Sequence, residues 1–306
     1  MTTRPFTNPD AGKGPEQLLT ERTRRLQDAM QLKQPDRVPI QLPMSYMLAD
    51  MYGISHQEQH EDANREMEML EKAALYFQPD SIMGLYNNPG PSLALGDRMT
   101  KFPGHGLSSS GSFQFVEGEY MKGEDYDDFI EDPADWSIRK YWPRVFSELE
   151  GLALLPPLGI AAYGTYSLSN LGVFKTPPVV KALRALARAV EAQGCHALRG
   201  ADNSRLRLQY LAELPKGKTV GWFQASDIFK TKKIVGDTMC IVRGMPNSLL
   251  KGGTVEQVRQ LTIRLCKEAG KGGGFIITTS AGEMEGCRPE LVKVWVETTK
   301  EFGVYK

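Results

Sequence analysis

The fold is decided by three apolar runs in the last third of the chain: Thr219-Val-Gly-Trp-Phe-Gln224, Met239-Cys-Ile-Val-Arg243 and Gly274-Phe-Ile-Ile-Thr-Thr279. Each run is continuous rather than alternating, which is typical of strands that are buried on both faces of a parallel sheet. Helical patterns over residues 227–235 and 254–269 separate the three runs. Strand and helix therefore alternate, and the sequence predicts an α/β fold.

The N-terminal half continues this alternation. Helices are predicted at residues 15–30, 56–77 and 177–192, and strands at residues 37–42, 80–86 and 158–163. Six parallel strands favour a (β/α)8 barrel of the TIM type, which has eight. Residues 98–122 are rich in glycine and alternate in polarity, so an antiparallel excursion is predicted there.

One region interrupts the pattern. The helix that ends near Gln193 is followed by another from Ser204, and no strand is predicted between them. On this pattern alone, something is missing or rearranged around residues 194–203, which would leave the barrel incomplete. A flexible arm, residues 1–14, is expected to precede a single domain over residues 15–306.

Composition excludes several classes of protein. Lys plus Arg and Asp plus Glu both number 37, so the chain lacks the basic excess of a nucleic-acid-binding protein. The four cysteines form no CxxC pair, which argues against a disulfide framework and for a reducing compartment. No apolar run approaches the roughly 20 residues of a membrane helix, and the N-terminus has no apolar signal segment. A cytoplasmic globular protein is expected.

Several short motifs along the chain together resemble those of one known family, although no single motif is specific enough alone. In the C-terminal third they include Asn203-Ser-Arg-Leu206, Glu213-Leu-Pro-Lys-Gly-Lys218, Val235-Gly-Asp237 and Pro246-Asn-Ser-Leu-Leu250. In the N-terminal half they include Pro35-Asp-Arg-Val-Pro39, Phe77-Gln-Pro-Asp80 and Phe113-Gln-Phe-Val-Glu-Gly-Glu-Tyr-Met121. With these motifs the chain resembles the uroporphyrinogen decarboxylase family over about residues 20–193 and 201–306.

The resemblance implies a distorted TIM barrel with an N-terminal helical extension, and one of two chemistries. Some members remove CO₂ from the acetate arms of uroporphyrinogen without a cofactor. Others move methyl groups to or from a corrinoid, commonly with a zinc ion that activates a thiol.

This chain departs from the decarboxylase pattern at three places. The loop after the first strand, Pro43-Met-Ser-Tyr-Met-Leu48, lacks the arginines that hold the substrate carboxylates in decarboxylases. Asn87 stands where the resemblance places an aspartate that faces the pyrrole nitrogens, and an amide stabilises a cationic pyrrole less well. No histidine occurs near residues 280–283, where the family has one.

The zinc pattern of the methyl-transferring members is also absent. A zinc site needs about three protein ligands and an open position. Cys195 and His196 are adjacent rather than spaced as His-x-Cys, and Cys287 lies a few residues from the family's late ligand. Zinc is therefore not expected, and no metal ligand is assigned.

The resemblance implies action on a tetrapyrrole-like or corrinoid-related substrate, and corrinoid-linked methyl transfer is the first expectation. The partner would be a small tetrapyrrole-like molecule or a corrinoid protein, with corrinoid as the cofactor to consider. Uroporphyrinogen decarboxylation and a non-catalytic, truncated remnant stay as alternatives. An open sheet edge would also favour a homodimer.

Candidate site residues follow from the rule that barrel active sites lie at the carboxyl ends of strands. The candidates for catalysis are Asn87, Asp227 and Glu283, and those for substrate binding are Tyr163, Gln224, Arg243, Ser280 and His105.

Several of these candidates have a plainer interpretation. Asp227 has the alternative of capping the following helix, and Asn87 that of shaping a turn. Arg243 could form a surface ion pair, and Glu283 and His105 could be solvated loop residues.

Overall fold

A computed structural model of the chain describes residues 6–85, 89–157, 159, 171–193, 216–223, 227–282 and 284–305. The chain divides into two compact units. Unit 1 comprises Met1–Ile54, Asp62–Tyr86 and Leu198–Lys306, and unit 2 comprises Ser55–Glu61 and Asn87–Ala197. Whether both belong to the single domain expected from the sequence stays a prediction.

The described strands are β1 (Gln41–Pro43), β2 (Ser81–Met83), β3 (Thr100–Pro103), β4 (Gly106–Leu107), β5 (Gln114–Phe115), β6 (Val220–Trp222), β7 (Cys240–Met245) and β8 (Phe275–Thr279). The described α-helices are α1 (Pro15–Met30), α2 (Met47–Tyr52), α3 (His56–Glu61), α4 (Ala63–Phe77), α5 (Pro89–Leu95), α6 (Tyr126–Glu131), α7 (Pro133–Trp136), α8 (Trp142–Val145), α9 (Pro177–Gln193), α10 (Ile228–Val235), α11 (Asn247–Gly252), α12 (Val255–Arg264) and α13 (Pro289–Phe302). None of these helices is long and apolar enough to cross a membrane.

The parallel strands of unit 1 are those that the apolar runs predict. Strand β7 lies between β6 and β8, and all three are parallel. Strands β1 and β2 form a second parallel pair. A bridge between Ile40 and Ile277 joins β1 to β8, with the Ile277 amide donating to the Pro39 carbonyl at 2.9 Å. The order is therefore β6-β7-β8-β1-β2.

This arrangement confirms the α/β class and the parallel sheet. The described residues form no closed barrel. The predicted strand at residues 158–163 and the gap near residues 194–203 lie outside the described residues. The closed or incomplete state of the barrel therefore stays a prediction.

Helices cover the sheet of unit 1. All five residues of β8 are buried, and Phe275 and Ile277 pack in a core that includes Trp295 of α13 and Leu265. Ile276 instead packs with Ala29 of α1 in a separate buried cluster. Both faces of the strand are thus covered, which explains its continuous apolar sequence.

A buried ionic network fixes the amino ends of β1 and β2. The Asp80 carboxylate accepts hydrogen bonds from Arg25 of α1, from both terminal nitrogens of Arg37, and from the Ile40 amide at 2.8 Å. Arg25 also donates to Asp36, with contacts of 2.6 and 2.7 Å. These bonds tie α1 to the starts of both strands.

The end of the predicted arm also takes part in buried contacts. Asp10 is buried and lies 2.8 Å from the Lys300 ammonium of α13, and 3.8 Å from Arg37. Asn8 donates to the Gln78 side chain at 2.6 Å. These are side-chain contacts between segments far apart in sequence, which the polar composition of the arm did not indicate.

Unit 2 contains the antiparallel excursion that the sequence predicts. Strand β5 pairs antiparallel with β3, and β4 lies on the other side of β3. Helix α9 packs on the 3-10 segment Ser147–Leu154, where Leu149 and Val179 are buried.

The predicted helix at residues 56–77 is in fact two helices. It divides at Asp62, whose side chain accepts from the Arg65 amide and so caps α4. The first part, α3, belongs to unit 2, and the second, α4, belongs to unit 1.

Candidate active site at the carboxyl ends of the strands

The carboxyl ends of β7 and β8 carry a polar cluster made of Asn247, Thr279, Ser280 and Ala281. The Ser280 hydroxyl donates to Asn247 Oδ1 at 3.1 Å, and the Ala281 amide donates to the same oxygen at 3.2 Å. Asn247 Nδ2 donates to the Ala281 carbonyl at 3.3 Å, and the Thr279 hydroxyl donates to that carbonyl at 2.7 Å. Through these neutral groups the cluster connects the loop after β7 to the loop after β8.

Sequence reasoning found Ser280 but missed Asn247. Asn247 follows Pro246 at the start of α11, and in the sequence it stood out only as part of the motif Pro246-Asn-Ser-Leu-Leu250. The signal available was its position two residues after Met245, the end of β7, which is the same strand-end rule that selected Ser280.

The loop after β1 forms an uncharged, buried wall. Met44, Tyr46, Met47 and Leu48 are fully buried, and Ser45 is 1% exposed. The Met44 amide donates to the Met83 carbonyl at 2.7 Å, which ties this loop to the end of β2. No cationic side chain is available in the loop to hold a carboxylate.

The end of β2 is held by a carboxylate that the sequence did not single out. Glu66 of α4 accepts from the Leu85 amide at 2.6 Å. A Cβ at Gly84 would lie 2.4 Å from the Glu66 carboxylate oxygen, so only glycine allows this approach. In the sequence Glu66 is one of many charged residues on a long helix, and no local signal distinguishes it.

Arg243 lies on β7 and is half-buried. Its guanidinium donates to the backbone carbonyl of Phe223, the residue after β6. The side chain therefore braces neighbouring strand ends, and a role in substrate binding stays a prediction.

Asp227 is the N-cap of α10. Its Oδ1 accepts from the Phe229 amide at 2.9 Å and from the Lys230 amide at 3.2 Å. The backbone hydrogen bond from Lys230 is the largest effect lowering the pKa of this carboxyl. The carboxylate is therefore ionised at neutral pH and engaged in capping, as in the alternative interpretation, and a catalytic role for it stays a prediction.

His105 lies in unit 2, on the turn between β3 and β4. Its Nε2 is 3.0 Å from Glu61 Oε1, and both side chains are partly exposed. The hydrogen bond from Gln57, and then that from His105, lowers the pKa of Glu61. Four other candidates, Asn87, Tyr163, Gln224 and Glu283, lie outside the described residues.

The described cysteines are buried thiols. Burial raises the pKa of Cys287 to about 11, and those of Cys240 and Cys266 to about 12. A thiol must lose its proton to act as a nucleophile or as a zinc ligand. Within the described residues no group of three or more His, Cys, Asp or Glu side chains could hold a metal ion.

Comparison with known proteins identifies a fold relative but no sequence relative. No protein-family model and no curated protein matches the chain. A solved structure of a methyltransferase from Methanosarcina mazei is similar, with a TM-score of 0.50 and 17% sequence identity. The match covers 91% of this chain and 98% of that chain. At this identity the likeness concerns the fold alone.

Proposed function

We propose that this chain takes part in methyl transfer involving a corrinoid, as a divergent relative of the uroporphyrinogen decarboxylase family. The observation that carries the proposal is the uncharged wall after β1, where Met44, Tyr46 and Met47 are fully buried. A porphyrinogen that carries several acetate arms needs cations at that place, because burying an unpaired carboxylate is strongly unfavourable. An apolar face of a corrinoid that carries a methyl group needs no cation at that place.

The fold supports the same reading at a coarser level. The chain is similar over nearly its whole length to a structure described as a methyltransferase. We include in this proposal that the chain forms a TIM-type barrel, either complete or shortened.

The corrinoid would be a substrate of this chain, either free or carried by a partner protein. When bound, it would supply the methyl group or accept it. Met44 and Met47 are fully buried and supply an uncharged backing to the loop after β1, and the Asn247–Ser280 pair offers neutral hydrogen-bonding groups at the neighbouring strand ends. These residues suit binding and orientation of an uncharged group.

The three thiols in the described part of the chain do not suit the role of methyl acceptor. Their pKa values of about 11 and 12 keep Cys240, Cys266 and Cys287 protonated at neutral pH. The proposal assigns the role of acceptor to a separate molecule that binds near the strand ends.

Methyl transfer is tested directly by spectroscopy. The purified chain is incubated without oxygen with methylcobalamin and a small thiol, and loss of the methylcobalamin absorbance is followed. We expect loss that depends on both the protein and the thiol, and no CO₂ release from uroporphyrinogen. CO₂ release at a comparable rate would contradict the proposal in favour of decarboxylation.

A pair of variants links such turnover to the candidate site. Ser280→Ala removes a hydroxyl from the Asn247 cluster, whereas Thr254→Ala removes a hydroxyl that caps α12. We expect the first variant to slow methyl loss by about tenfold and the second to leave the rate unchanged. Equal effects of the two variants would argue that the strand ends are not the site.

A non-catalytic family member is the second candidate. It is favoured by the protonated thiols and by Asp227, whose carboxylate is engaged in capping a helix. This candidate predicts that cobalamin raises the unfolding temperature without any consumption of the methyl group. The homodimer expected from an open sheet edge is checked on the same sample by light scattering.

A further inference from the structure

An open cleft of about 700 Å³ lies in unit 2. Its lining combines two methionines, two tyrosines and two glutamates with one glycine: Met99, Met121, Tyr120, Tyr141, Glu117, Glu119 and Gly118. The cleft is shallow and open to solvent, so a small organic molecule bound there would keep part of its surface exposed.

The antiparallel pairing of β3 and β5 builds the floor of the cleft. Thr100 pairs with Phe115, and the Val116 amide donates to the Met99 carbonyl at 2.7 Å. Residues 117–121 therefore leave β5 beside the chain that enters β3. The Tyr141 hydroxyl lies 3.5 Å from Met99 Sδ, so the Tyr141 ring also lies beside the residue that precedes β3.

Two features hold Tyr120 and its ring in position. The Arg144 guanidinium donates to the Tyr120 carbonyl at 2.9 Å, and the Tyr120 hydroxyl contacts the Arg98 carbonyl at 3.4 Å. A Cβ on Gly118 would lie 2.6 Å from a carbon of the Tyr120 ring. Glycine is therefore required for the ring to fold over this backbone.

The charged side chains that line the cleft are both negative. Glu117 and Glu119 are exposed, and neither forms an ion pair with a described residue. Other acids of the same segment are neutralised, as Arg144 pairs with Asp125 and Lys140 with Asp128. No Lys, Arg or His among the described residues lines the cleft.

This combination matches one class of ligand. Aromatic faces attract cations through the ring quadrupole, and methionine sulfur is polarizable and adapts to apolar groups. Carboxylates add a direct charge interaction that water weakens but does not abolish. We propose that the cleft binds a small organic cation of the quaternary ammonium class, with the methyl groups against the rings and the charge near the two carboxylates. This proposal goes beyond methyl transfer, since none of these residues belongs to the strand-end site.

The test compares two probes of the same shape. Choline carries the quaternary ammonium, and dimethylbutanol is its uncharged carbon isostere. Binding of each to the full chain is measured by isothermal titration and by the tyrosine and tryptophan fluorescence, because Trp136 stacks on Tyr141 with ring centroids 5.3 Å apart. We expect choline to bind at least about tenfold more tightly than dimethylbutanol.

Variants then assign the site. We expect Glu117→Gln combined with Glu119→Gln to weaken choline binding by about tenfold or more, since both carboxylates are lost. Tyr120→Leu removes one ring and is expected to weaken binding by about two- to fivefold. The controls are Asp127→Asn and Tyr126→Leu, which change an exposed acid and an exposed ring of the same segment outside the cleft lining.

Three results would overturn the proposal. They are equal binding of the two probes, full choline binding by the double glutamine variant, and absence of choline binding to a folded chain. Because the glutamates are exposed and unpaired, their replacement leaves the fold intact, and the unfolding midpoint of each variant verifies this.

Discussion

Replacing Asp80 by asparagine should destabilise unit 1 severely. The Asp80 side chain is 0% exposed, and its two oxygens serve three strong donors: Arg25, Arg37 and the Ile40 amide. Asparagine keeps one acceptor oxygen but turns an amide donor toward guanidinium groups that are themselves donors. Arg37 would be left with the Val38 carbonyl and with Asp10 at 3.8 Å.

The expected magnitude follows from the burial of the charges. Removing one partner of a buried ion pair is unfavourable by about 3–5 kcal/mol, because the remaining charge stays in a site with little water. Total stabilities lie at about 5–15 kcal/mol, so this single change removes a large share. With a urea dependence of about 3 kcal/mol/M, the unfolding midpoint should fall by roughly 1 to 1.7 M.

Urea unfolding followed by tryptophan fluorescence is the assay, because the buried Trp295 reports on unit 1. The matched control is Asp36→Asn, whose carboxylate also bonds Arg25 but is 53% exposed. The control should lose about 1 kcal/mol or less. A loss below about 1 kcal/mol in the Asp80 variant, or equal losses in both, would refute the reasoning about burial.

Three further predictions concern single groups. Asp227→Ala should lower the stability by about 1 kcal/mol through loss of the cap, and a methyl-transfer rate reduced by more than about a hundredfold would instead reveal a catalytic role. Cys240 and Cys266 hold their protons to a pH of about 12 in the folded chain, whereas the unfolded thiols lose theirs near 9. Stability should therefore fall as pH rises above 9, and denaturant titrations of a Cys240→Ala, Cys266→Ala variant should show a shallower fall. Asn247→Ala should remove the acceptor shared by Ser280 and Ala281, so hydrogen exchange at the Ala281 amide should accelerate, while exchange within β7 should not.

The strands of unit 1 could be predicted from their continuous apolar runs, and β7 and β8 are buried as those runs indicate, whereas β2 is half-buried and β6 is partly exposed. Local signals also sufficed for the Asp227 cap and for the antiparallel excursion. The division of the helix at Asp62 was missed, although its side chain accepts from the amide of Arg65, three residues on. The long apolar and charged periodicity across residues 56–77 concealed this short-range capping signal.

The hydrogen-bond and ion-pair partners of the side chains could not be predicted from local sequence signals. Arg25 and Asp80 are 55 residues apart and bond only because α1 crosses the starts of β1 and β2. The cluster of Asn247 with Ser280 spans 33 residues, and the strand-end rule names such positions without saying which of them meet. Partner choice over these distances depends on the packed fold rather than on any local pattern.

The pairing of β1 with β8 has a consequence for how the chain is made. During synthesis Ile40 emerges roughly 240 residues before Ile277, its bridge partner on β8. At elongation rates of about 5–20 residues per second this interval is roughly 12–48 s. For that time the nascent β1 can pair with β2, but its other edge is bare and its neighbouring side chains are apolar. Chains released before about residue 280 should therefore aggregate, and holdase chaperones should bind these unfinished chains more strongly than the completed protein.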